Sequence, residues 1–91
     1  MDYVFLNKKT VNSRDELFTC FAEGFHFPEH FGANLDALYD CLTEGCAERT
    51  VVISDKVWLE EVLGPTYRGL CRVLADASKE SPSLKVFEIS L

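Results

Sequence analysis

The chain has 91 residues, 47% of them hydrophobic, and a formal net charge of −6. That length and apolar content fit a single domain over 1–91 and exclude a disordered chain. The negative balance argues against direct contact with nucleic acid or an anionic membrane, and no apolar run approaches the roughly 18 residues of a membrane span.

The opening run from Met1 to Leu6 has no basic start, so it does not read as a signal peptide, and the cytoplasm is the expected compartment. Tyr3 to Leu6 is short, apolar and β-prone, as in a buried strand. Asn7 to Thr10 is a turn. Ser13-x-x-Glu16 fits a capping box, and Leu17, Phe18, Phe21 and Ala22 follow at helical spacing, with Gly24 as a stop. Phe25 to Ala33 is an aromatic-rich loop in which Pro28 blocks a helix interior and Gly32 supplies backbone freedom. Asn34 is a good N-cap for a helix from Leu35 to about Glu44.

Thr50 to Ser54 is a β-branched strand, apolar at consecutive positions as in a strand covered on both faces. Ser54 or Asp55 caps a short helix through Trp58, Leu59, Val62 and Leu63. Gly64-Pro65 ends it and starts another, with Tyr67, Leu70, Cys71, Leu74 and Ala77 on one stripe. Ser81-Pro82-Ser83 breaks that helix, and Leu84 to Leu91 forms a last strand. Its apolar phase shifts at Val86-Phe87, which a bulge or burial on both faces would explain. The element order predicts an α/β fold: a small three-stranded parallel sheet with right-handed crossovers, much of it covered by about four helices.

Cys20, Cys41, Cys46 and Cys71 contain no C-x-x-C pair. Without a secretion signal they are expected as reduced thiols, and no metal or cofactor is called for. His26 and His30 are four apart, but Pro28 lies between them, so they do not share a helix face. His26 is expected to pack locally, and His30 to lie in the loop near the acidic helix. No Gly-rich phosphate loop or G-x-S-x-G elbow occurs.

The charge is unevenly spread. Between Arg14 and Arg49 there is no Lys or Arg, and eight carboxylates: Asp15, Glu16, Glu23, Glu29, Asp36, Asp40, Glu44 and Glu48. The remaining chain has seven acids against nine bases, so the acidity belongs to one segment. On a helix of about 100° per residue, Leu35, Leu38 and Leu42 face inward. Asp36 and Asp40 then share an exposed face one turn apart, with Tyr39 on the boundary. Like charges at i, i+4 do little for an isolated helix. Such a pair can be a solvated face, a general acid/base pair, part of a divalent-metal site, or a plug for a cationic pocket. The acid/base reading needs a cleft, and the metal reading needs more oxygen ligands.

The run from Phe27 to Thr43, with Asn34-Leu35-Asp36-Ala37-Leu38-Tyr39-Asp40-Cys41-Leu42 at its centre, resembles the barstar family of bacterial ribonuclease inhibitors. The element order extends the resemblance over essentially the whole chain. It implies no catalysis, and an inhibitor or immunity protein for a guanyl-preferring ribonuclease whose basic active site is blocked by the acidic helix and its preceding loop. Carried over by position, Asp40 mimics the substrate phosphate and Asp36 is the second acidic contact. Tyr39 takes the flanking aromatic place, and His30 the loop position that stacks over the catalytic histidine. Gly32, Asn34, Leu35 and Thr43 are rim or support contacts, Glu44 continues the rim, and Asp76 on the last helix is peripheral. His30 stands where the prototype has Tyr, Tyr39 where it has Trp, and Glu44-Gly45-Cys46 replaces a small residue and a bulky aromatic. A barstar-like module for a basic protein other than a ribonuclease is the alternative. The free chain is expected to be a monomer.

Overall fold

The structure is a computed structural model and describes residues 2–29, 31–44 and 47–89. Its elements are β1 (Asp2–Leu6), α1 (Arg14–Gly24), α2 (Leu35–Thr43), β2 (Arg49–Ile53), α3 (Lys56–Leu63), α4 (Pro65–Glu80) and β3 (Leu84–Glu88). This is the expected order, and the fold is α/β.

Local chemistry accounts for most boundaries. Ser13 caps α1 by accepting the Glu16 N–H at 3.1 Å, while Glu16 reaches back to the N–H of Asn12 at 2.7 Å. The reciprocal arm thus lands one residue earlier than in the standard box. Gly64 joins α3 to α4 at φ 56°, ψ −134°, a conformation that needs glycine. Pro65 then opens α4, where its missing N–H costs nothing. Asp55 precedes α3 but does not cap it with its side chain. Its carboxylate accepts the Lys8 N–H at 3.1 Å instead, and its φ of 57° is left-handed. Trp58 donates its indole N–H to the Val11 carbonyl at 3.0 Å, tying α3 to the connection after β1.

The three strands are all parallel, in the order β1-β2-β3. α1 and α2 lie between β1 and β2 in the chain, and α3 and α4 between β2 and β3. With right-handed crossovers, sequential order puts both helical connections on the same face of the sheet. Burial follows that rule. Val4 and Leu6 of β1 and Val51 and Ile53 of β2 are buried, together with Leu17, Phe18 and Phe21 of α1, Leu38 and Leu42 of α2, and Leu70 and Leu74 of α4.

The opposite face corrects two expectations. β2 is not covered on both sides: Val52 is only half-buried, and its register partners Phe5 and Phe87 are exposed. Thr50 is buried, but by its position at the centre of the sheet between Tyr3 and Lys85. Nor does a bulge or two-sided burial explain the apolar phase of β3. Its register with β2 runs unbroken from Leu84 to Glu88; Lys85 and Phe87 point to the open face, and a cleft against α4 leaves Val86 and Glu88 exposed. Ile89 still donates to the Ile53 carbonyl at 2.8 Å; the expected continuation through Ser90 and Leu91 lies outside the described residues.

α1 ends close against β1. A Cβ on Gly24 would meet Val4 Cγ2 at 2.5 Å and the Tyr3 carbonyl oxygen at 3.1 Å. Backbone cannot yield as a side-chain tip can. Gly24→Ala is therefore expected to lower stability by about 1–3 kcal/mol, read as an earlier urea midpoint with an unchanged slope.

Candidate functional site

α2 is built to hold one face still and leave the other free. Asn34 caps it, its side-chain oxygen accepting the Ala37 N–H at 2.8 Å. The same side chain donates from Nδ2 to the Gly32 carbonyl at 3.2 Å, so one residue joins the loop to the helix. Leu38 and Leu42 are buried, and Leu35 packs at the edge of the core. Leu35 reaches so close to α4 that a Cβ on Gly69 would lie 2.5 Å from its Cδ1. Tyr39 is half-buried against the core, and Asp36 and Asp40 are exposed one turn apart.

The preceding loop is an aromatic cluster. Phe27 sits 6.0 Å from Phe25 and 5.0 Å from Phe31, and Phe31 lies 6.2 Å from Phe18 of α1. Ala33, at φ 50°, is left-handed in this loop, as is His26 at φ 56°, and Gly32 is not. Gly32 has another constraint: a Cβ there would crowd Asn34 Nδ2 at 3.2 Å, inside the capping arrangement. His30 lies outside the described residues.

Loop and helix enclose a shallow cleft of about 230 Å³, lined by Pro28, Phe31, Gly32, Ala37, Asp40 and Glu44, with Cys41 at its side. Phe31, Pro28, Ala37 and Cys41 are not among the site residues the sequence predicts. Part of the signal was there, since Ala37, Asp40, Cys41 and Glu44 follow i, i+3, i+4, i+7 spacing on one side of α2.

The C-terminal end of α2 is tied down as well. The Thr43 hydroxyl donates to the Tyr39 carbonyl at 2.9 Å, so it supports the helix. α2 ends at Thr43, one residue short of expectation, and exposed Glu44 is its C-cap in extended conformation. Arg49 emerges as a residue the sequence reading used only as a boundary mark. Its guanidinium donates to the Cys41 carbonyl at 2.8 Å and lies over the rings of Phe25 (5.7 Å) and Phe27 (5.6 Å). It thereby places a cation at the negative end of a helix that has no basic residue in its own last turn. Gly45 and Cys46 lie outside the described residues. Asp76 is exposed on α4, the helix against which α2 packs.

All eight carboxylate residues between Arg14 and Arg49 are exposed. Asp36, Asp40 and Glu44 form no ion pair with any described residue. Burial, with Glu44 close behind, holds the Cys41 thiol above its ordinary 9.0 against the opposing pull of Arg49. A raised thiol stays protonated at neutral pH, which is poor preparation for a nucleophile. Cys20, Cys41 and Cys71 are free thiols. Among the described residues no group of three or more His, Cys, Asp or Glu is placed to hold a metal, and no helix is long and apolar enough to cross a membrane. His26 does not pack locally as expected. It is exposed, at φ 56°, with Nε2 3.9 Å from Asp2 Oδ1.

This arrangement is a rigid, uncompensated carboxylate face beside a small aromatic-edged cleft, suited to receive cationic side chains. Its rigidity depends on the cap. Asn34→Ala is expected to cost about 1 kcal/mol of stability, measured by urea unfolding, and to raise hydrogen exchange at the first-turn amide of Ala37.

A family model described as Barstar (barnase inhibitor) matches residues 1–89. No curated protein matches the chain. The family match takes in every strand and helix of the fold, the capped acidic helix and the loop before it, and the chain belongs to the barstar family.

Proposed function

We propose that this chain is an inhibitor of a guanyl-preferring ribonuclease, and that it acts by binding and not by catalysis. The observation that carries the reading is the pair Asp36 and Asp40: exposed, without an ion-pair partner among the described residues, and set on a helix whose other face is held in the core. Family membership supports the target class.

The physical logic is that of a phosphate mimic. A ribonuclease must line its active site with Arg, Lys and His to hold the phosphodiester. A carboxylate presented there accepts charge-assisted, bidentate hydrogen bonds but offers no bond to cleave. Asp40 sits nearest the cleft and takes the central place; Asp36, one turn earlier, is the second contact. The cleft between Phe31 and the carboxylates of Asp40 and Glu44 accommodates a long basic side chain whose stem packs on the ring. Tyr39 flanks the carboxylates, and by the family resemblance His30 holds the loop position meant for the partner's catalytic histidine. Gly32, Asn34, Leu35 and Thr43 act as support, consistent with the internal hydrogen bonds of Asn34 and Thr43. Asp76 lies at the periphery. The basic character of the partner and an immunity role in the cytoplasm belong to the same proposal.

Rigidity matters for affinity as well as geometry. The capped helix and locked leucines leave little conformational freedom to lose on binding. The acidic segment also speeds encounter with a basic partner, and this attraction weakens with salt.

Titration into a guanyl-preferring ribonuclease assay tests the reading. Asp40→Ala is expected to weaken inhibition by about 2–5 kcal/mol, the order seen for close charge pairs at the interface of the family's prototype complex. Asp36→Ala should cost less, and Asp76→Ala under about 1 kcal/mol, as for a rim charge. A loss below about 1 kcal/mol for Asp40→Ala removes it from the central role. Failure of the wild-type chain to inhibit any of a diverse ribonuclease panel transfers the proposal to a basic partner of another kind. Raising NaCl from 50 to 500 mM is expected to slow association far more than it speeds dissociation, as stopped-flow mixing would show.

A further inference from the structure

The face of the sheet turned away from the helices is apolar and bare. Parallel sheets are ordinarily buried on both faces. Here Phe5 is 51% exposed, Phe87 53% and Tyr3 49%, with Ile89 at 46% beyond them. Register places these residues in rows across the sheet: Tyr3, Thr50 and Lys85 in one, Phe5, Val52 and Phe87 in the next. Among the described residues no helix lies over these rows. Next to them a cleft of about 300 Å³ runs between Tyr3, Glu48, Lys85 and Phe87.

We infer that this face is the interface of a symmetric dimer, with a second copy of the same chain as its occupant. The pattern of the rows favours a copy over an unrelated partner. A two-fold axis running along β2, between two facing sheets, leaves each row opposite itself and sets β1 of one copy over β3 of the other. Phe5 then meets the second copy's Phe87, Val52 meets its own equivalent, and Lys85 lies over the ring of the second copy's Tyr3. Aromatic meets aromatic and cation meets ring, so the surface is complementary to itself, as a two-fold interface must be. The strands of the two sheets run nearly aligned, which is a standard sheet-on-sheet packing.

The three rings form the apolar centre of the face. Taking about 200 Å² for a fully exposed aromatic side chain, the three half-exposed rings offer roughly 300 Å² per copy. Ile89, at 46% exposure, and the exposed Lys85 and Glu48 widen the patch around the rings. A stable interface takes about 600 Å² from each copy, so the rings form its apolar centre and these bordering residues its rim. Glu48, on the open face just before β2, faces its own equivalent across the axis, with Lys85 of each copy a row away to offset the like pair. α1 and α2, which carry most of the acidic segment, cover the other face of the sheet, so Asp36 and Asp40 of both copies point away from the interface. A dimer replaces the monomer expected from sequence, and it does not depend on what the acidic helix binds.

Sedimentation equilibrium across about 1 to 300 μM tests the inference. The wild-type chain is expected to reach twice its monomer mass within that range. Phe87→Glu and Phe5→Lys should each sediment as monomers, their association weakened at least tenfold, with unchanged circular dichroism because both side chains are exposed. Thr19→Glu, at an exposed site on α1 on the helical side of the sheet, should still dimerise. Mixing Phe5→Lys with Phe87→Glu should restore a dimer, since the proposed axis sets the new charges opposite each other. If Phe87→Glu loses its helical signal, the milder Phe87→Ser carries the same expectation. A wild-type chain that stays monomeric at every concentration overturns the inference. So does a dimer that survives Phe87→Glu or Phe87→Ser, or a mixture that remains monomeric.

Discussion

Three parallel strands in sequential order impose a one-sided architecture. Each crossover must carry the chain back to the start of the sheet, and its right-handedness decides the face on which it lands. Both crossovers here move in the same direction, so α1 and α2 share a face with α3 and α4. The core forms on that side alone, from Val4, Leu6, Val51 and Ile53 against the helical stripes. The acidic helix is therefore the outer layer of a two-layer body. It has the sheet and α4 behind it and solvent in front. The apolar far side of the sheet results from the same constraint.

Within that frame, tertiary packing overrides the local preferences of α2. Two carboxylates one turn apart repel each other by a few tenths of a kcal/mol. Leu38 and Leu42, both buried, supply several times that amount through apolar burial. Asn34 at one end and Arg49 at the other complete the hold. The first satisfies an orphan amide; the second caps a carbonyl and stacks on Phe25 and Phe27. Repulsion is thus stored on a surface that cannot relax by bending, and a cationic partner can relieve it.

Much of this was legible because it is local chemistry. Ser13 and Glu16 cap α1, Asn34 caps α2, and Gly64-Pro65 divides two helices, each through atoms a few residues apart. The inward leucines and outward aspartates of α2 follow from helical periodicity alone. The failures concern what a residue meets across the fold. Asp55 looked like a cap, but β1's turn offered it the Lys8 amide. Gly32 looked like the flexible point of the loop, but Ala33 takes the left-handed turn. Val86-Phe87 reads as a strand buried on both faces, because hydrophobicity does not reveal which face of a sheet the helices cover.

The sequence by itself determined the order of strands and helices, the acidic pole, the Asp36–Asp40 pair and the family motif around it. These depend on spacing, charge and short-range hydrogen bonds, all of which are present in the linear chain. Tertiary structure alone decided that Leu35 seats against Gly69 and that Arg49 closes the far end of the acidic helix. It alone decided that Phe31 joins Asp40 and Glu44 in one cleft, and that among the described residues no helix of the chain covers one face of the sheet. Those facts depend on which distant segments the crossovers bring together, and handedness and strand order settle that only once the whole chain has packed.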